Sequence, residues 1–144
     1  MQIDRILRTK GPTVATVSPS ATIGDAARDL ARHGVGALVV SSDGERIEGI
    51  LSERDIARGV GLHGAEVLAR RVDELMTRDV ATCSMRDTVD QLAEIMTTRR
   101  VRHLPVVHDG RLAGIVSIGD VVKNRLDELQ IEAQTLHEYI LTGR

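Results

Sequence analysis

The chain has 144 residues, 42% hydrophobic and 28% charged, with a net charge of −2 at pH 7 and one aromatic residue, Tyr139. That length suits one domain with one sizeable core, or two halves too small to stand alone, and the composition excludes disordered and collagen-like classes. The charge and the want of stacking residues argue against a nucleic-acid binder or a membrane-surface protein.

No apolar run approaches the roughly 20 residues that cross a bilayer. The start, "MQIDRILRTKG", lacks a signal peptide's apolar stretch. Cys83 is the single cysteine, which excludes an internal disulfide framework and fits a reducing compartment. The expected location is cytoplasmic.

In chain order, an extended start at 14–17 leads through turn residues into an amphipathic helix, with Ile23, Ala26, Ala27, Leu30 and Ala31 at helical spacing. Gly34 is placed to end it. A β-branched run, "VGALVVS", a turn containing Asp43-Gly44 and a second run, "RIEGILS", predict a hairpin. A second helix opens at Ser52. The stretch "GVGLHGAEVLARR" (59–71) reads as a linker into a short helix, "VDELM".

The order then repeats. Shifted by about 66 residues, 14–44 lies over 80–110, and "GILSERD" (49–55) returns as "GIVSIGD" (114–120). The fold class is therefore α/β (α+β), two β-α-β-β-α units, with an extended C-terminal helix. Val122, Leu126, Leu129, Ala133, Leu136 and Ile140 recur four and three apart along that helix. This stripe is too short for a free-standing coiled coil, so it is expected to dock on the body or on a second subunit.

Few motifs carry chemistry. "GVGLHG" (59–64) matches a dinucleotide fingerprint in letters only, because it follows a predicted helix rather than a strand. The histidines lack metal-ligand spacing, Cys83 has the place of a small packing residue, and the methionines fill core gaps. The repeated Ser-x-x-Asp reads as a helix capping box. It could also offer a ligand a hydroxyl and a carboxylate at a helix N-terminus.

Glycine three residues before each serine, an apolar strand between them and the recurrence in both halves give the pair its significance. Together with "VRHLPVV" (101–107), these motifs resemble a tandem pair of CBS domains, a Bateman module, over residues 6–126. The resemblance divides the chain into a first repeat at 6–66, a linker and lead-in helix at 67–79, a second repeat at 80–126 and a helix extension at 127–144, the repeats being related by a pseudo-twofold axis.

The resemblance implies an adenosine ligand in the cleft between the repeats. Asp55 and Asp120 would hold ribose hydroxyls, and Ser52 and Ser117 would contact phosphate. Thr16, Val35 and Ala37 would flank adenine in one site, and Thr82, Val101 and His103 in the other. Arg54, Arg102 and His103 would reach phosphates across the axis. Two cis-hydroxyls match the two oxygens of a carboxylate, and arginine pairs with phosphate through parallel bonds.

The expected function is a regulatory module, not an enzyme, that senses an adenine nucleotide, with AMP first and ATP, ADP or NAD(H) behind it. A homodimer and a regulated protein partner are expected. The alternative is a structural or protein-interaction module in which the Ser-x-x-Asp pairs only cap helices. No metal site is expected.

Overall fold

The computed structural model describes residues 3–11 and 14–143. Its elements are helix α1 (Ile3–Lys10), strand β1 (Thr16–Val17), α2 (Ile23–His33), β2 (Ala37–Val40), β3 (Gly49–Ser52) and α3 (Glu53–His63), then a 3-10 helix (Gly64–Ala69) and α4 (Val72–Leu75). The second half holds β4 (Cys83–Ser84), α5 (Val89–Arg99), β5 (His103–His108), β6 (Arg111–Ser117) and α6 (Ile118–Thr142).

Each half forms a three-stranded sheet, β1-β2-β3 and β4-β5-β6, with the first pair parallel and the second antiparallel. A parallel pair needs a crossover connection, which α2 and α5 supply. Thr22 and Thr88 cap those helices through their side chains, and Gly34 ends α2 in the left-handed conformation.

The equivalent end of α5 is Arg100, at φ 54°. Arg100 therefore belongs to the helix cap and not to a strand, since β5 starts only at His103.

The hairpins differ. Asp109 and Gly110 both have positive φ and join β5 to β6 in a two-residue turn, the arrangement whose twist matches the flanking strands. In the first half the equivalent Asp43-Gly44 sits in a loop of eight residues (41–48), where the Asp43 carboxylate accepts from the backbone N–H groups of Glu45 and Arg46. Glu48 accepts from Ser42 and completes that loop.

The stretch expected as a linker from Gly59 is instead helical through His63, and the chain then tightens into the 3-10 helix. Gly59 is retained for close packing: a Cβ there would lie 2.7 Å from Leu75 Cδ2. This position inside a helix removes the dinucleotide reading of "GVGLHG", which needs a strand-to-helix turn.

Two cores form, and each borrows a segment from the other half. The first gathers Val17, Ile23, Ala26, Leu30, Leu38, Val40 and Leu51, with Val72 and Met76 from the lead-in to the second half. The second gathers Cys83, Val89, Leu92, Met96, Leu104, Val106 and Val116, with Ile3, Ile6 and Leu7 from α1. The exchange is fixed at two glycines: a Cβ on Gly49 would meet Met76 Sδ at 2.6 Å, and one on Gly114 would meet Leu7 Cδ2 at 2.6 Å. Helix α1, at the border of the segment read as the first repeat, thus packs on the second sheet.

Helix α6 leaves the body early. Val121 and Asn124 are buried, but Leu126, Leu129, Leu136 and Ile140 are at least half exposed. The apolar stripe does not dock on its own chain.

Candidate functional site

Both Ser-x-x-Asp pairs stand at the junction of the last strand of a sheet and the following helix. Asp55 Oδ2 accepts from the Ser52 backbone N–H at 2.9 Å and from the Ser52 hydroxyl at 3.0 Å, and Ser52 Oγ accepts from the Asp55 N–H at 3.2 Å. Asp120 Oδ2 accepts from the Ser117 N–H at 2.9 Å, and Ser117 Oγ accepts from the Asp120 N–H at 3.2 Å. Both are complete capping boxes.

The box uses one oxygen of each carboxylate. Oδ1 of Asp55 accepts from no described residue, so it remains free to take a further donor.

The first N–H of each of these helices is also satisfied from the neighbouring strand entrance: Glu53 N donates to Gly36 O, and Ile118 N to Arg102 O. These bonds draw the residues before β2 and β5 against the helix ends.

A cavity of about 250 Å³ opens at the first of these ends, and four segments wall it, one of them Gly36 and Ala37 at the entrance to β2. Ser52, Glu53, Arg54, Asp55 and Arg58 come from the start of α3; Thr77, Asp79, Val80 and Ala81 from the lead-in to the second half; Arg100, Arg102 and His103 from the entrance to β5. Ile50 and Val101 add apolar floor. The cavity thus lies between the two units and has an apolar side, four arginines and three carboxylates, those of Glu53, Asp55 and Asp79.

The side chains of Arg54, Arg58, Arg100 and Arg102 make no ion pair or hydrogen bond with any described residue, which leaves their charge available. His103 differs. Burial pushes its imidazole below the usual histidine value, and the Lys10 cation adds to that, so it is uncharged at neutral pH. It serves as a wall rather than a cation, packed so closely that a Cβ on Gly36 would lie 3.2 Å from its ring.

Of the expected residues, Ala37, Ser52, Arg54 and Asp55 from the first unit meet Val101, Arg102 and His103 from the second in this one cavity. Thr16, Val35 and Thr82 do not line it: Thr16 is paired with Val39 in the sheet, and Val35 lines a shallower groove beside Leu30 and Ile56. Ser117 and Asp120 stand at the other helix end, where Lys10 Nζ donates to Asp120 Oδ2 at 2.7 Å and to Ile115 O at 2.8 Å. Burial raises the Asp120 carboxyl, but the bonds from Lys10 and Ser117 and the lysine charge together hold it below the usual carboxylate value.

Sequence reasoning gave no site role to Arg58, Thr77, Val80, Ala81, Arg100 or Lys10. Arg58 lies one turn after Arg54 and was accessible from helical spacing. The others depend on the exchange of lead-in segments, which leaves no local signal.

The sequence matches the CBS domain family twice, at residues 8–61 and 72–127. The chain belongs to the CBS-domain family. A CBS-domain containing protein of Agrobacterium tumefaciens is similar in structure, with 48% identity, 87% of this chain and 99% of that chain covered and a TM-score of 0.83. A CBS domain protein of Pyrobaculum aerophilum, complexed with AMP, shares 31% identity over 83% of this chain and 89% of that one, with a TM-score of 0.75. A CBS domain pair in complex with 5′-methylthioadenosine and S-adenosylmethionine shares 26%, covering 89% and 98%, with a TM-score of 0.78.

A mitochondrial CBS domain-containing protein of Arabidopsis thaliana is 37% identical over 126 residues, covering 85% of this chain and 61% of that protein. The CBS pair described here therefore spans somewhat under two thirds of that relative's length. Among the described residues, no helix is long and apolar enough to cross a membrane.

Proposed function

We propose that this CBS pair is a regulatory module that binds an adenine nucleotide in the cavity between its units, with AMP as first choice and ADP, ATP and NAD(H) behind it. The observation that carries the reading is the meeting, in one cavity, of a carboxylate with a free oxygen, an apolar side and four unpaired arginines. Asp55 would take ribose hydroxyls; Ile50, Val80, Ala81 and Val101 would cover a base; Arg54, Arg58, Arg100 and Arg102 would hold phosphate.

Relatives complexed with AMP and with S-adenosylmethionine support an adenosyl ligand. The four arginines outnumber the three carboxylates of the lining and favour the anionic nucleotide over the sulfonium. The cavity residues bind rather than react: none forms a nucleophile–base pair. Regulation then acts through the ligand's bridging of two units, which favours the arrangement it binds best.

The exposed stripe of α6 supports a homodimer, because an apolar face of this extent is covered in solution proteins. A soluble, cytoplasmic setting and a regulated protein partner complete the proposal. Titration calorimetry with AMP, ATP, NAD and S-adenosylmethionine tests the ligand reading: the nucleotides bind in preference to S-adenosylmethionine, and Arg54→Ala and Arg102→Ala each weaken AMP and reduce its salt dependence. Equal affinity for all four ligands in the arginine variants and the wild type would remove the phosphate role.

A further inference from the structure

The two Ser-x-x-Asp sites are built alike but are not equally available. At the first, the edge of β3 is met by backbone: Ile50 and Thr77 exchange N–H···O bonds of 3.0 and 2.9 Å, and no described cation pairs with Asp55. At the second, the edge of β6 is met by a side chain. Lys10 Nζ takes the carbonyl of Ile115 and reaches Asp120 Oδ2, 110 residues along the chain, with both side chains largely withdrawn from solvent.

The lysine is held there by its helix. Ile3, Ile6 and Leu7 anchor α1 in the second core, Leu7 presses against Gly114, and the Gly11 N–H closes the helix on Leu7 O at 3.0 Å. Lys10 is the last residue of α1, where a cation is also favoured by the helix carbonyls. It bonds Oδ2, the oxygen the cap also uses, and places an ammonium beside the carboxylate with no rearrangement, so a ribose could reach both oxygens only by displacing it.

We infer that Lys10 is a built-in occupant of the second aspartate site and limits this chain to one nucleotide, bound at Asp55. The inference rests on the nucleotide reading of the previous subsection. It makes the two repeats functionally unequal: the first cleft senses, while the second unit contributes Arg100, Arg102 and His103 to that same cleft and keeps its own aspartate closed.

The test is binding stoichiometry of AMP to the full chain by calorimetry and equilibrium dialysis. Wild type is expected to bind one AMP per chain, and Asp55→Ala to lose it. Lys10→Met, which keeps an unbranched aliphatic stem but removes the charge, is expected to bind two, and Lys10→Met with Asp120→Ala to return to one. Circular dichroism melts establish that each variant is folded. Two AMP per wild-type chain, or one per chain in folded Lys10→Met, would overturn the inference while leaving the nucleotide reading intact. A single event weakened tenfold in Lys10→Met would overturn it by making Lys10 a ligand contact. No AMP bound by the wild type or any variant would overturn both readings.

Discussion

Asp55→Ala separates capping from the proposed binding, because the structure gives the cap to one oxygen of the carboxylate and leaves the other without a described donor. Oδ2 serves the cap, accepting from Ser52 N–H and Oγ–H; Oδ1 is free. The substitution leaves the Ser52 hydroxyl still able to accept from the backbone N–H of residue 55, so α3 keeps half its box. Loss of a cap side chain costs about 1 kcal/mol, and urea unfolding should register that amount.

Binding should suffer far more. A carboxylate that accepts two ribose hydroxyls forfeits two hydrogen bonds to a charged group, each worth about 1.5–3 kcal/mol. The sum, about 3–6 kcal/mol, weakens AMP by at least about a hundredfold. Calorimetric titration of wild type and variant in one buffer, beside the urea curves, compares the two effects. An AMP affinity within about threefold of wild type, accompanied by the expected loss of stability, would show that Asp55 only caps a helix and would refute the argument.

Gly49→Ala should destabilise the first unit by about 1–3 kcal/mol, the usual cost of overpacking, since its Cβ would meet Met76 Sδ at 2.6 Å and the Thr77 carbonyl at 2.9 Å; an unchanged urea midpoint would contradict this. Cys83 is buried, and burial pushes its thiol up to about 12, so it should resist a thiol reagent at pH 8 in native protein and react upon unfolding; rapid native labelling would contradict its packing. Asp120 titrates below the usual carboxylate value, so its ionised form contributes stability above its unfolded value of about 3.9 and loses it as pH falls through the folded value. The stability advantage of wild type over Lys10→Met should therefore be present at pH 7 and close below about pH 4, and a gap unchanged at pH 3 would contradict the ion pair. Leu129→Glu with Leu136→Glu should halve the mass of the proposed homodimer in sedimentation, because both leucines lie on the exposed stripe of α6; a wild type already monomeric would contradict that proposal.

Much of this architecture was legible because its signals are local. Helix α2 follows from the spacing of Ile23, Ala26 and Leu30 and ends at Gly34, and the β5-β6 turn follows from Asp109-Gly110 between β-branched runs. The fold class and both capping boxes follow from the repeat itself. What escaped depends on contacts far apart in sequence. Ile3, Ile6 and Leu7 have the spacing of a helix but give no hint that it packs on the second sheet, and Met76 gives none that it packs on the first.

The site was legible by halves for the same reason. Asp55 and Arg54 announce themselves in a motif, and Arg102 and His103 in another, but their meeting in one cavity is a property of how the units face each other. Thr16 and Val35, which sequence order pairs with Asp55, do not line its cavity, where Thr77, Asp79, Val80 and Ala81 of the opposite unit's lead-in stand. Lys10 lies ahead of the stretch that repeats and so carried no sign of its ion pair.

The central claim is that the cavity at Asp55 binds adenine nucleotides. A thermal-shift titration of nucleotide-free protein against AMP, with GMP and adenosine alongside, tests it most directly. Ligand at about 100 times its dissociation constant adds about 2.7 kcal/mol of stability. The account predicts a saturating upward shift with AMP, a smaller one with adenosine, which lacks the phosphate for the arginines, and none in Asp55→Ala. No shift with AMP in folded protein, or an equal shift with AMP in Asp55→Ala, would contradict it.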